Sequence, residues 1–475
     1  MRICLLTEGS YPYVVGGVSS WIRMLIEGMP EHEFIVYAIG AEEKDRGKFK
    51  CKIPENLVEI HEVFLDSILK LRSPGMKSHH LTAAERLCLK NLICGTADIN
   101  LNCLLDIFCR QGKKSDPLEI FMSFDFFDVI QSAYSEKYNY LPFTDFFWTI
   151  RSMLLPLFYL LQQELPAADV YHSVATGYCG ILGGIAAAVY KKPFIITEHG
   201  IYSREREEEI IKCSWAQGDF KSVWIQYFYS LARLSYQNAG RVFTLFEKNA
   251  ETERSLGCAP EKIRVVPNGI HLERFAHIEP SKPPVDRPMC IGAVVRVVPI
   301  KDIVTLLRAF FLVKQAIPDI QLKIMGQYDE DPEYYEICRQ TVETLQLADV
   351  EFTGSVDVAQ YYGKMDLLVL SSISEGQPLA ILEGLASRRP FVATDVGCCR
   401  EVLYGTGTDE FGPAGGIVPA MDYEAMAGEI IKLARDFSLR YRLAENGWQR
   451  IASLYTYERF ITAYREIYAE EAGRK

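Results

Sequence analysis

Paired cysteines are what this sequence most plainly lacks. Its thirteen cysteines stand singly apart from Cys398 and Cys399, their number is odd, and none are spaced C-x-x-C. That argues against a disulfide framework or a zinc ribbon and fits reduced thiols in a cytoplasmic compartment. Excess positive charge is missing too: a formal net charge of −11 over 475 residues speaks against a nucleic-acid partner, which calls for a basic face. Long apolar runs are absent. "MRICLLTEGS" at the start is too short in its apolar part and has no small-residue cleavage site, so it reads as a strand rather than a signal peptide. "MLLPLFYLLQQ" from Met153 offers about ten apolar residues around Pro156 where a membrane span needs about 20, so it reads as a buried or interfacial helix. Neither a repeat period nor a low-complexity tract is present.

What is there is an ordinary globular composition, 49% hydrophobic and 24% charged, in a chain too long for one core. Short runs rich in Val, Ile and Phe alternate with helical patterns, the signature of β-α-β units. Strands are expected at "RICLLTE", "FIVYAIG", "LVEIHEV", "DVYHSV", "FIITEHG", "RVFTLF" and "IRVVPNG", then at "MCIGAVV", "QLKIMG", "EFTG", "DLLVLSS", "PFVATDV" and "GGIVPA". Residues 67–166 break the rhythm and read as a mostly helical insertion with aromatic stretches "FMSFDFFDVI" and "FTDFFWTI". "HLERFAHIEPSKPPVDRP", with four prolines, is the linker candidate. The expected fold class is α/β with two doubly wound, Rossmann-like domains facing a central cleft: 1–280 with the insertion, 281–455, and a C-terminal helix over 456–475 packing back towards the first domain.

The segment "EGQPLAILEG", residues 375–384, sets two glutamates eight positions apart among apolar side chains. Glu375 is expected at a loop tip beyond the buried strand "DLLVLSS", next to the N-terminus of a helix entered through Pro378, where free N–H groups suit a phosphate. Carboxylates beside an anion site fit a neutral, hydroxyl-rich group attached to that anion, as in a sugar nucleotide. Taken alone, the spacing equally fits a capping glutamate plus a solvated one. Arg296 and Lys301 stand between the first strand and first helix of the second half, where a diphosphate would need cations; alone they could be two solvated loop residues.

Together these residues resemble the retaining GT-B glycosyltransferases of the family 4 type. Glu375 with Glu383, Arg296 with Lys301, "VVGGVSSW", "EHG", "VVPNGIHLERF" and "GCCREVL" carry the likeness over nearly the whole chain. "LLTEGSYPYVVGGVSSW", "YHSVATGYCG", "ITEHGIYSRER" and "GQYDEDPEYYEICR" make it resemble more closely the branch that serves Pel exopolysaccharide synthesis. The resemblance implies that Arg296 and Lys301 hold the donor diphosphate, Glu375 the sugar hydroxyls and Glu383 the ribose, with Gly376, Gln377, Pro378 and Leu379 along the donor. It implies that Gly16 and Gly17 let a loop approach the phosphates, and that His199 lies at the catalytic face. Each histidine also has a plain structural reading, and His172 in "VYHSV" could equally point into the core. The implied substrates are a UDP-sugar, UDP-glucose or a UDP-N-acetylhexosamine, and a growing polysaccharide, with membrane components of a polysaccharide synthase as partners and the inner face of the plasma membrane as the place of work.

Two departures from the family pattern stand out: "EGQPL" replaces E-G-F-G-L, and "GCC" replaces a glycine pair after Val396. No D-x-D motif ends a first-half strand, and "DED" at Asp329 to Asp331 reads as a solvated helix cap, so no metal or other cofactor is expected. A nicotinamide-dependent oxidoreductase is disfavoured because "GGVSS" lacks the G-x-G-x-x-G spacing. A sugar-nucleotide epimerase of the same fold and a non-catalytic, sugar-nucleotide-binding subunit of a membrane synthase are the remaining alternatives.

Overall fold

In the computed structural model, which describes residues 1–70, 80–96, 99–108, 116–284, 287–407 and 409–473, the apolar runs of the first half form a parallel sheet. Its strands are β1 (Arg2–Glu8), β2 (Glu33–Gly40), β3 (Leu57–Phe64), β4 (Val170–Ser173), β5 (Phe194–Glu198), β6 (Arg241–Thr244) and β7 (Ile263–Val265), in the order β3-β2-β1-β4-β5-β6-β7. The second half adds β8 (Met289–Val294), β9 (Ile320–Met325), β10 (Val350–Gly354), β11 (Leu367–Leu370), β12 (Phe391–Thr394) and β13 (Gly415–Val418), in the order β10-β9-β8-β11-β12-β13. Central strands such as β2 and β11 are apolar on both faces because helices cover both. Each sheet reverses its strand order beside its first strand, between β1 and β4 and between β8 and β11, and the carboxyl ends at such reversals are where parallel sheets take ligands.

Two compact units follow from this. The first comprises Met1–Thr244, Asn249–Val265 and Ala463–Lys475, the second Leu245–Lys248 and Val266–Thr462. The division thus falls some fifteen residues before the expected 280/281 boundary. The reason is packing: Ile270, just before the linker candidate, and Phe275 and Ile278 within it are buried in the core of the second sheet, and Ile270 forms a bridge with Thr456. The last helix, Tyr457–Gly473, begins in the second unit and ends in the first.

The insertion folds as helices Ala83–Cys94, Leu101–Phe108, Pro117–Phe121, Phe124–Ala133 and Phe143–Leu161. Their starts are specified locally by a Thr82–Glu85 capping box and by Asp116 and Ser123 at N-caps. Pro156 sits inside the last of them, whose Leu154, Leu157 and Phe158 are fully buried. Phe121, Phe126 and Phe158 cluster at 4.8 to 6.4 Å between rings and share one core with Cys4, Leu6, Ile35 and Tyr37 of the sheet. To that extent the insertion is a helical layer on the first sheet. Its residues 71–79, 97–98 and 109–115 lie outside the described residues. Among the described residues no helix is long and apolar enough to cross a membrane, and the twelve cysteines are free thiols.

His172, one of the two histidines weighed above for catalysis, is a core residue. It has no exposed surface, and its ring nitrogens lie 2.7 Å from the Tyr468 hydroxyl of the last helix and 2.7 Å from the Thr197 hydroxyl of β5. Burial, and then the neighbouring His199, push its pKa down to about 3. The folded state therefore binds this proton less readily than the unfolded chain, whose histidine titrates near 6.5. The stability that goes with the neutral ring is complete above that value and is lost as pH falls below it. Urea unfolding should show a loss of about 2 kcal/mol from this residue between pH 7 and pH 5, at about 1.36 kcal/mol per pH unit. His172→Gln should reduce that slope, leaving the part due to His199, while lowering stability at pH 7; equal slopes in the two proteins would contradict the assignment.

Candidate active site

The carboxyl edge of the second sheet builds the site. After β8 the chain makes a short 3-10 turn, Pro299–Lys301, and Asp302 takes a left-handed conformation at φ 45° to cap the helix Ile303–Ala316. This turn presents Lys301. Beyond β11 the residues Ser371 and Ser372 remain fully buried and lead to Glu375 at the loop tip. Lys301 Nζ donates to Glu375 Oε1 at 2.6 Å, and Ser372 Oγ donates to the same oxygen at 2.5 Å.

The backbone is tied around that pair. Ile373 N–H donates to Ile300 C=O at 2.9 Å and Ser371 Oγ to Lys301 C=O at 2.8 Å, which joins the lysine turn to the glutamate loop. Thr394 Oγ1, at the end of β12, donates to Ser372 C=O at 2.7 Å. The "GCC" departure has a defined shape: Gly397 has φ 52°, a Cβ there would lie 2.3 Å from Glu375 O and 2.4 Å from Gly376 O, and Cys398 N–H donates to Gly376 C=O at 3.1 Å. Only a glycine allows that approach.

Other expected residues fall around this centre. The helix Leu379–Ala386 starts one residue later than "PLAILEG" suggests, with Pro378 at its N-cap and no side chain capping its free N–H groups. Glu383 is half-buried on that helix and accepts from Tyr362 Oη at 3.3 Å; burial raises its pKa. Gln377 uses its side-chain oxygen within the protein: Oε1 accepts from Asn268 N–H of the "VPNG" loop at 2.6 Å. Arg296 does not join the Lys301–Glu375 pair. It forms an ion pair with Glu330 of "DED" at 2.5 Å, with both side chains around half exposed, while Asp331 caps the helix Pro332–Thr344 as expected of a cap. An exposed pair of this kind is worth at most about 1 kcal/mol, so Arg296 can be redirected to an anion at little cost.

In the first unit, Gly16 is the N-cap of the helix Gly17–Glu27, and nothing in the chain lies within 4 Å of a Cβ built at either glycine. Packing therefore does not require them. His199 follows the end of β5 with its ring edge-on to Trp21 at 4.6 Å, its Nε2 buried without a hydrogen-bond partner and its pKa pushed down by burial to about 4. Its neighbour Glu198 is a scaffold residue, accepting from Thr176 Oγ1, Tyr202 N–H and Tyr236 Oη. Glu8, at the carboxyl end of β1, went unread in the sequence although it stands in the position where β1 meets a ligand edge. It accepts from Tyr178 N–H at 2.9 Å, at the start of the helix Tyr178–Tyr190, and from Tyr202 Oη at 2.6 Å. Among the described residues no three His, Cys, Asp or Glu side chains gather as around a metal ion.

Comparison with known proteins agrees with this architecture. Residues 1–261 match the family described as "Domain of unknown function (DUF3492)" and residues 287–436 the family described as "Glycosyl transferases group 1". The MMP alpha-(1->4)-mannosyltransferase of Mycolicibacterium hassiacum is 22% identical over 313 residues, which is 64% of this chain and 71% of that protein. Other curated relatives are matched over 33% to 61% of their own length. Among solved structures, sucrose-phosphate synthase from Thermosynechococcus elongatus gives a TM-score of 0.61 at 17% identity, over 99% of this chain and 98% of that one. HepE of Anabaena, in complex with UDP, gives 0.61 at 14% identity over 99% and 100%. The chain belongs to the DUF3492 family through its first half and, with a group 1 glycosyltransferase domain in its second, is a glycosyltransferase of GT-B type that draws on a nucleotide-sugar donor.

Proposed function

We propose that the protein transfers a hexosyl unit from a UDP-sugar, UDP-glucose or a UDP-N-acetylhexosamine, to a growing polysaccharide of the Pel exopolysaccharide type, with retention at the anomeric carbon. The observation that carries this reading is the joining of Lys301 and Glu375 at the carboxyl edge of β8 and β11, beside an uncapped helix N-terminus. A lysine and free N–H groups suit a diphosphate, and a carboxylate next to them suits the sugar hydroxyls beyond it. The UDP bound in HepE supports a uridine nucleotide. The Pel branch is supported by the sequence segments that resemble it.

In this mechanism Glu375 accepts hydrogen bonds from the sugar and is not a nucleophile. The bond from the anomeric carbon to the phosphate oxygen breaks, the acceptor oxygen bonds to that carbon on the same face, and the acceptor proton passes to the departing phosphate. Lys301, Arg296 and the helix end offset the charge that develops on UDP. No metal is assigned to that task. Gly16 and Gly17 leave room for the phosphates in the first unit. His199, neutral at physiological pH, is assigned to the sugar as a hydrogen-bonding group. Glu383 is assigned to the ribose diol.

Glu375→Gln should abolish transfer while leaving UDP affinity within a few-fold by isothermal titration. Wild-type activity should survive EDTA, and proton NMR of the first turnovers from an α-linked donor should show an α-linked product. Binding of UDP-sugars without turnover would instead identify a non-catalytic subunit, release of free UDP with an epimerised sugar an epimerase, and a β-linked first product an inverting enzyme.

The insertion is assigned to the polymer or to a partner at the membrane. Phe124 is 82% exposed and Trp148 51% exposed, the latter in ring contact with Phe147 of an aromatic network that includes Phe127 and Phe143. Exposed aromatics of this density suit sugar stacking or a protein interface. Phe124→Glu with Trp148→Glu should spare hydrolysis of the donor and reduce polymer length, measured by size-exclusion of the product; equal loss of both activities would leave the insertion a structural layer.

A further inference from the structure

Ser372 occupies the strand end between β11 and Glu375, has no exposed surface, and aims its hydroxyl at one oxygen of one carboxylate. Its own backbone carbonyl is held by the buried Thr394 hydroxyl, so its position is set from two strands at once. Glu375 Oε1 therefore receives two donors, Lys301 Nζ and Ser372 Oγ. Of these, Lys301 is also the cation the diphosphate would use, and a lysine is a flexible point charge that can turn from one anion to another. The serine cannot leave, because its side chain is short and its backbone is pinned.

We infer that Ser372 is a positioning residue for transfer: it holds Oε1 of Glu375 when Lys301 turns to the donor phosphates, so that Oε2 stays aimed at the sugar. The inference rests on the proposed contact between Glu375 and the transferred sugar and adds the group that keeps this contact in place. A carboxylate deprived of both donors would be free to rotate, and a misplacement of about 1 Å can cost two orders of magnitude in rate. Ser371 serves the other side of the same device, since its hydroxyl holds the lysine turn through Lys301 C=O.

The test is Ser372→Ala, measured beside Glu375→Gln and the double variant, with UDP-glucose and UDP as probes. The single serine variant should lose about 10-fold or more in kcat, as expected for losing a hydrogen bond to a charged group, and keep UDP affinity within two-fold. In the Glu375→Gln background the serine change should add nothing to the loss of UDP-glucose affinity relative to UDP, because both act through one contact. Additive losses, or a parallel fall in UDP affinity, would mean a general structural role and overturn the inference, as would an unchanged kcat. Failure of the underlying reading is separable: Glu375→Gln would then itself retain transfer. Circular dichroism and the melting temperature of each variant establish that it is folded, and Ser372→Thr, which keeps the hydroxyl, should recover part of kcat.

Discussion

A lysine and a glutamate holding each other at 2.6 Å, each with less than a fifth of its side chain exposed, set the form of the second unit's ligand edge. Such a pair gives up much of its hydration, and in stability alone it gains little over an apolar replacement. The surrounding bonds are arranged to hold the two charges in register: Ile373 to Ile300 and Ser371 to Lys301 join the two loops, and Gly397 lets a third loop lie against Glu375 and Gly376. Removal of either charge would leave the other partly buried and unpaired.

The first unit is organised differently. Its central strands end in polar residues that are consumed by the scaffold: Glu8 by Tyr178 and Tyr202, Glu198 by Thr176, Tyr202 and Tyr236, and His172 by Thr197 and Tyr468. His199 differs from these three, with one ring nitrogen buried and unpartnered. The contrast separates two histidines only 27 positions apart that look alike in sequence.

All thirteen strands were legible as short runs rich in Val, Ile and Phe, and the central ones most plainly, because a parallel sheet covered on both faces leaves a continuous apolar signature there. Lys301, Glu375 and Glu383 stood out as candidates because charge is conspicuous among apolar neighbours. What stayed hidden was whatever depends on distant pairing. Nothing near Arg296 announces that Glu330 will hold it, nothing near His172 announces Tyr468, 296 positions away, and Gln377 gives no sign that its amide will serve Asn268. Ser372 was missed for another reason: a serine between a strand and a loop is common, and only the distance to Glu375 sets it apart. The unit division does not fall at the prolines because proline marks where a chain is stiff, whereas the core is decided by where Ile270, Phe275 and Ile278 are buried.

The central claim is that Lys301 is the donor-phosphate cation of this enzyme and that Arg296 assists it. Isothermal titration of UDP into the wild type, Lys301→Ala and Arg296→Ala tests it most directly, since UDP carries the phosphates without the sugar. Loss of about 1.5 to 3 kcal/mol in each variant is the predicted result, the range for hydrogen bonds to charged groups. Unchanged UDP affinity in both variants would contradict the account.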